Sequence, residues 1–141
     1  RISRRCATRR LGIACWPGRV KAGRKSEETI LLSDIFPTIL DIASIPYPRG
    51  QRLDGHSLLP TLTGERAVPE RLLFWRQGEQ WAVRDGPWKL VHHRGGKGLF
   101  HRGDDLGETI DRSGEHPDRI AGMSNAFRAW CADVDSNSVE E

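Results

Sequence analysis

The residues of this 141-residue chain that could carry chemistry are five histidines, three cysteines and a short acidic run. His92 and His93 are consecutive in a stretch that reads as a strand. Successive strand side chains leave by opposite faces, so the two are badly placed to share a metal. His93 and His101 are expected to approach across a hairpin, as a surface polar pair rather than a metal site. His56 follows Gly55 in a turn and reads as a local capping or surface residue. Asp104, Asp105 and Glu108 invite a cation-site reading, but Asp in a turn bonds its own backbone, and a solvated turn is the expectation. Cys6, Cys15 and Cys131 lack Cys-x-x-Cys spacing, so neither a disulfide framework nor a zinc knuckle is indicated. Trp75, Trp81 and Trp88 offer either a sugar-stacking platform or core packing, and Phe127 and Trp130 as cover favour the core. No catalytic residue and no metal ligand set is assigned to the chain.

The elements that must position these groups follow from periodicity. Leu72–Trp75, Trp81–Val91 and Leu99–Phe100 are apolar runs rich in β-branched and aromatic residues, separated by Gly, Asp and Pro turns. They predict an antiparallel meander of three to four strands. Arg84 and Lys89 alternate with Val83, Leu90 and Val91 and are expected on the wet face or in a salt bridge. A final helix is predicted from Pro117 to about Val134, because Ile120, Met123, Phe127, Trp130 and Val134 recur at helical spacing and suit a sheet face.

Upstream, Leu11–Trp16 reads as a short buried strand ended by Pro17-Gly18, and Thr29–Leu32 as another. A helix is predicted from Ser33 or Asp34, either of which can accept from orphan first-turn amides, with Pro37 tolerated that early. Its apolar face is Ile35, Phe36, Ile39, Leu40, Ile42 and Ala43. A turn at Leu53–Ser57 opens a second short helix, Leu58 to Leu62, closed by Gly64. Residues 1–10 read as a disordered basic arm and 135–141 as a frayed tail. The architecture expected is α+β, with the boundary between the two larger parts at 64/65.

Charge excludes one class of function. Lys and Arg number 22 against 19 acids, but Arg1, Arg4, Arg5, Arg9 and Arg10 all lie in the arm. The rest carries a slight negative excess, against the sustained basic groove that nucleic acid requires. No apolar run reaches the length of a membrane span, and no signal region follows the basic start. The chain begins with Arg, and an internal or truncated stretch of a longer protein is expected.

Taken in order, six blocks resemble the C-terminal third of arylsulfatase-type sulfatases of the alkaline phosphatase superfamily. They are Trp16–Gly23, Ser33–Ala43, Leu53–Pro60, Leu73–Trp75, Ala82–Val91, and Leu99–Phe100 with the acidic turn ending at Glu108. The resemblance implies that 11–64 is the trailing strand and helix of a truncated α/β domain and 65–134 a C-terminal subdomain. It implies that the apolar helix after Ser33 lacks its normal cover. It further implies a parent using Ca²⁺ and a formylglycine made in a Cys/Ser-x-Pro/Ala-x-Arg motif, both upstream of these blocks, and a missing N-terminal sulfatase domain as partner. Cys6-Ala7-Thr8-Arg9-Arg10 has Cys and Arg at that separation but Thr in the wrong place, and reads as chance. Arg76, His92 and His93 are the residues the resemblance places at the rim of a pocket for a sulfated small molecule or glycan. A phosphonate or phosphodiester hydrolase fragment, and a non-catalytic sugar-binding or interaction module, stand as alternatives.

Overall fold

A computed structural model of the protein describes residues 12–50 and 52–137. The expected basic arm, the Cys6 motif within it, and the end of the expected tail lie outside the described residues. The chain divides into two compact units at Pro69/Glu70.

The first unit is organised by a buried acid. A 3-10 turn over Leu32–Asp34 leads into α1, Ile35–Ile42. The Asp34 carboxylate is fully buried and accepts the Leu31 amide at 2.7 Å and the His56 amide at 2.9 Å. The Thr38 hydroxyl donates to the Asp34 carbonyl and accepts the Leu58 amide at 2.8 Å. These bonds seat the 54–58 turn on the start of α1, and Gly55 is needed there because a Cβ would lie 2.0 Å from the Ser33 carbonyl oxygen. Asp34 thus spends its oxygens on neighbouring segments and does not cap its own helix.

Helix α1 ends in a Schellman arrangement, Ile45 N–H to the Leu40 carbonyl and Ser44 N–H to that of Asp41, with Ser44 at φ 56° where glycine is usual. Helix α2, Leu59–Thr63, stops at Gly64, whose φ is 89°. One face of α1, with Pro37, Thr38 and Leu40, is buried, while Ile35, Phe36, Ile39 and Ile42 are each 43–54% exposed. The strands expected at Leu11–Trp16 and Thr29–Leu32 are not formed over their described residues. A strand needs a neighbour to take its backbone bonds, and Ile13 stands 96% exposed. Both upstream strands expected from the sequence are therefore absent from the described residues.

The second unit is a four-stranded antiparallel meander in the order β1-β2-β3-β4, over Leu72–Gln77, Gln80–Asp85, Trp88–His93 and Gly96–His101. Its register aligns Phe74, Val83, Leu90 and Leu99 on one face. Helix α3, Pro117–Asn137, lays Met123 and Phe127 on the fully buried Val83, Leu90 and Leu99. Ile120, Trp130, Phe74 and Trp81 complete this core, and Cys131, a position the helical stripe did not include, joins them. Rings carry much of the contact: Phe127 stacks on Trp81 at 4.3 Å and Trp130 on Phe74 at 5.3 Å. Such pairs add about 0.5–1.5 kcal/mol each beyond area burial.

The opposite face holds an ion pair. Lys89 is 1% exposed, and its Nζ lies 2.7 and 2.8 Å from the two Glu108 oxygens. Arg102 Nε is 3.6 Å from the same carboxylate. The expected salt bridge at Lys89 is therefore present but dry, because the loop after β4 folds back over this face. Glu108 adopts φ 54°, a left-handed conformation that costs a non-glycine about 1–2 kcal/mol. The ion pair holds it there. The same loop seals the edge of β4: Leu99 N–H donates to Asp111 and Ser113, and Arg112 N–H donates to the Leu99 carbonyl at 2.8 Å.

Two outcomes test these anchors. Glu108→Gln leaves the Lys89 ammonium buried without its counter-charge and is expected to cost about 3–5 kcal/mol in urea unfolding; a cost near zero would mean the pair is wet. Gly55→Ala is expected to break the seat of the 54–58 turn, read as loss of hydrogen-exchange protection at the His56 amide. Unchanged protection there would refute the close approach.

Candidate functional site

The second unit brings two of the three expected rim residues onto one row. Strand register places Arg76 opposite Trp81, Trp81 opposite His92 and His92 opposite Lys97, so these four share a rung on the helix-covered face. Lys97 was not singled out from the sequence. Its signal was available, since it lies one hairpin from His92 at matching parity. His93 leaves by the other face, as strand alternation requires, and is exposed.

Each member of the row already has a structural partner. Arg76 forms a two-pronged pair with Asp135 at 3.0 and 2.6 Å, 59 residues away, and lies 6.0 Å from the Trp130 ring centroid. This clamp ties β1 to the last turn of α3, and it explains why that helix runs past the expected end at Val134 and through the first part of the expected tail. His92 stacks on Trp81 at 5.2 Å, and its Nδ1 lies 3.2 Å from the Glu79 carbonyl oxygen. That oxygen can only accept, so His92 donates from Nδ1. His93 does the reverse: its Nδ1 accepts the Gly95 amide at 3.0 Å, which leaves Nε2–H as the outward donor. Lys97 Nζ donates to Ser124 Oγ at 3.1 Å and stands 5.6 Å from the Trp81 ring centroid.

The expected approach of His93 to His101 does not occur. His93 pairs with Gly96 beside the hairpin turn, whereas His101 pairs with Trp88 at the far end of the same two strands. A hairpin brings together residues equidistant from its turn, and these two are not. His101 instead packs edge-on against Trp88 and lies 2.8 Å from Asp104. Trp88 also meets His116 edge-on and has the Arg119 guanidinium 4.9 Å from its ring centroid. A groove of about 580 Å³ beside it is lined by Leu72, Asp85, His116, Arg119 and Met123, where Arg119 and Asp85 pair at 3.0 Å.

The acidic turn does not suit a calcium ion, because its carboxylates are committed elsewhere. Asp105 accepts the Thr109 and Ile110 amides at 2.6 and 2.8 Å, and the Ile110 bond above all holds its pKa below the usual carboxylate value. Glu108 is taken by Lys89, and Asp104 faces His101 and Arg112. Among the described residues no group of three or more His, Cys, Asp or Glu is placed to hold a metal, and no helix is long and apolar enough to cross a membrane.

No protein-family model matches the chain. It is 35% identical over 77 residues to the canine (Canis lupus familiaris) N-acetylgalactosamine-6-sulfatase, covering 55% of this chain and 15% of that protein. It is 31% identical over 121 residues to a sulfatase of Formosa agariphila, covering 69% of this chain and 22% of that protein. Among solved structures, Ps i-CgsB in complex with k-i-k-neocarrahexaose shares the fold with a TM-score of 0.73 and 22% identity, over 82% of this chain and 27% of that one. The chain thus spans less than a quarter of the length of the two curated relatives.

The clamp makes a prediction about pH. Hydrogen bonds from Arg76 hold the Asp135 carboxyl below its ordinary range. The folded pKa is the lower one, so the clamp contributes above the unfolded value and is lost as pH falls through the folded value. Asp135→Asn is expected to speed amide exchange in the last turn of α3 at neutral pH and to remove the acid-dependent part of its fraying. Identical exchange in both proteins at pH 7 would show that the clamp does not hold the helix end.

Proposed function

We propose that this chain, a relative of the sulfatases, is the C-terminal part of a sulfuric ester hydrolase, supporting and rimming an active site whose nucleophile lies outside it. The observation that carries the reading is identity of 31–35% to two curated sulfatases. Hydrolysing a sulfate ester takes a strong nucleophile, a cation on the sulfate oxygens and an acid for the leaving group. In this reading the formylglycine and Ca²⁺ implied by the family belong to an N-terminal sulfatase domain. The uncharged stripe of Ile35, Phe36, Ile39 and Ile42 is the surface that such a domain covers, since four half-exposed apolar side chains on one short helix are costly to leave in water.

The rim is assigned to Arg76, His92 and His93 with distinct duties. Arg76, fastened to Asp135, sets the position of β1; at the end of the sheet His93 offers its Nε2–H as a donor, and His92, whose Nδ1–H is spent on the Glu79 carbonyl, offers Nε2 as an acceptor. The name of the canine relative supports a sulfated sugar as the substrate class.

The intact chain with Ca²⁺ and an aryl sulfate is expected to show no turnover, and turnover above that of a Cys6→Ala control would overturn this. A chimera placing residues 12–137 in the matched stretch of the Formosa agariphila sulfatase is expected to hydrolyse the sulfate ester. In it, His93→Ala should raise KM with little change in kcat. A folded chimera that is inactive on sulfate esters, or that prefers a phosphodiester, would refute the sulfatase assignment.

A further inference from the structure

The two edges of the sheet differ in what happens to their outward backbone groups, and hairpin parity says which groups those are. The turns at Gly78-Glu79, Gly86-Pro87 and Arg94-Gly95 each span two residues. The flanking pairs Gln77–Gln80, Asp85–Trp88 and His93–Gly96 therefore exchange both backbone bonds, and so does every second pair beyond them. On β4 this leaves Lys97, Leu99 and His101 facing outward. The loop after β4 meets them there: Leu99 gives its amide to Asp111 and Ser113 and takes that of Arg112, and the His101 carbonyl takes the Asp105 amide at 3.0 Å. On β1 the outward residues are Leu72, Phe74 and Arg76. Among the described residues nothing bonds their amides or carbonyls.

Strand β1 also lacks the usual guards of an open edge. It reads Leu-Leu-Phe-Trp-Arg-Gln, without proline, and its register with β2 runs unbroken by a bulge. Its one charge, on Arg76, is held by Asp135. Such an edge takes another strand through its main chain.

A second copy of the same strand is complementary to it. Antiparallel pairing of β1 with itself about Phe74 sets Leu72 opposite Arg76 of the second copy and Phe74 opposite Phe74, so every outward amide and carbonyl finds a partner. On the other face Leu73 falls opposite Trp75. No like charges are opposed: Arg71 meets Gln77, and Glu70 of one copy lies diagonal to Arg76 of the other on the same face. The end of α3 rests on this strand, Trp130 on Phe74 and Asp135 on Arg76, so the two helix ends come side by side over the joint. They enlarge a contact that a six-residue edge alone leaves below the roughly 1,200 Å² of a stable interface.

We propose that the free edge of β1 is a dimerisation edge, where two copies of this chain join β1 to β1 antiparallel about Phe74 and continue the sheet to twice its width. The dimer is weak and concentration-dependent. It rests on strand register and not on the activity proposed above, so either can fail alone.

Amide exchange and sedimentation of the intact chain test it, from about 5 µM to about 0.5 mM protein. At the low end the Leu72, Phe74 and Arg76 amides are expected to exchange fast while those of Leu73, Trp75 and Gln77 stay protected. At the high end all are protected and the sedimenting mass doubles. Leu72→Pro removes an edge amide at the first residue of the strand, where proline is tolerated. It is expected to weaken dimerisation about tenfold or more, with exchange at Val83 and Leu90 unchanged. Leu72→Ala keeps that amide and should stay within about threefold of the parent. A monomer at the highest concentration would overturn the proposal. So would protection of all three edge amides at every concentration, because the chain then covers its own edge. Association lost in Ile39→Ser but kept in Leu72→Pro would move the contact to α1 and overturn it as well.

Discussion

A charge withdrawn from water must recover its lost solvation from the fold, and each unit of this chain is closed around such a group. In the first unit it is Asp34, whose oxygens take amides from Leu31 and His56 and so join α1 to a turn 22 residues away. In the second it is the Lys89–Glu108 pair, which holds the loop after β4 against the sheet. The Lys89–Glu108 pair is not there to gain Coulomb energy alone, since hydrophobic isosteres often stabilise as well, and Asp34 is held by neutral amides. Each fixes which segment lies where: Gly55 against Ser33 in one case, Glu108 in a left-handed conformation in the other.

The helix-covered face shows how one row of a sheet divides its side chains between structure and solvent. Arg76 is absorbed by α3 through Asp135, and Trp81 by stacking on Phe127. Along the same rung His92 stacks on Trp81 and bonds the Glu79 carbonyl, and Lys97 bonds Ser124 of α3. Helix α3 covers the Val83, Leu90 and Leu99 row of this face and reaches Lys97 through Ser124.

The two units also differ in how completely they satisfy themselves. The second has an enclosed core, a sealed β4 edge and paired buried charges. The first buries Pro37, Thr38 and Leu40 of α1 but leaves the other side of that helix apolar and in water. A helix apolar on two sides belongs between two layers.

What could be read from the sequence was local. The spacing of Ile120, Met123, Phe127 and Trp130 gave α3, the Gly, Asp and Pro turns gave the meander, Gly64 marked the end of α2, and the ordered motif blocks gave the kinship with sulfatases. Periodicity and turn chemistry act over a few residues, so they survive in any context. Tertiary structure alone decided the rest. Whether Lys89 is wet or dry depends on where a loop 19 residues later folds, and whether Arg76 is free depends on an aspartate 59 residues away. His93 and His101 were separated by hairpin register, and Gly12–Trp16 did not become a strand for want of a neighbour. Pairing across such distances is set by which faces pack, and no local pattern encodes that.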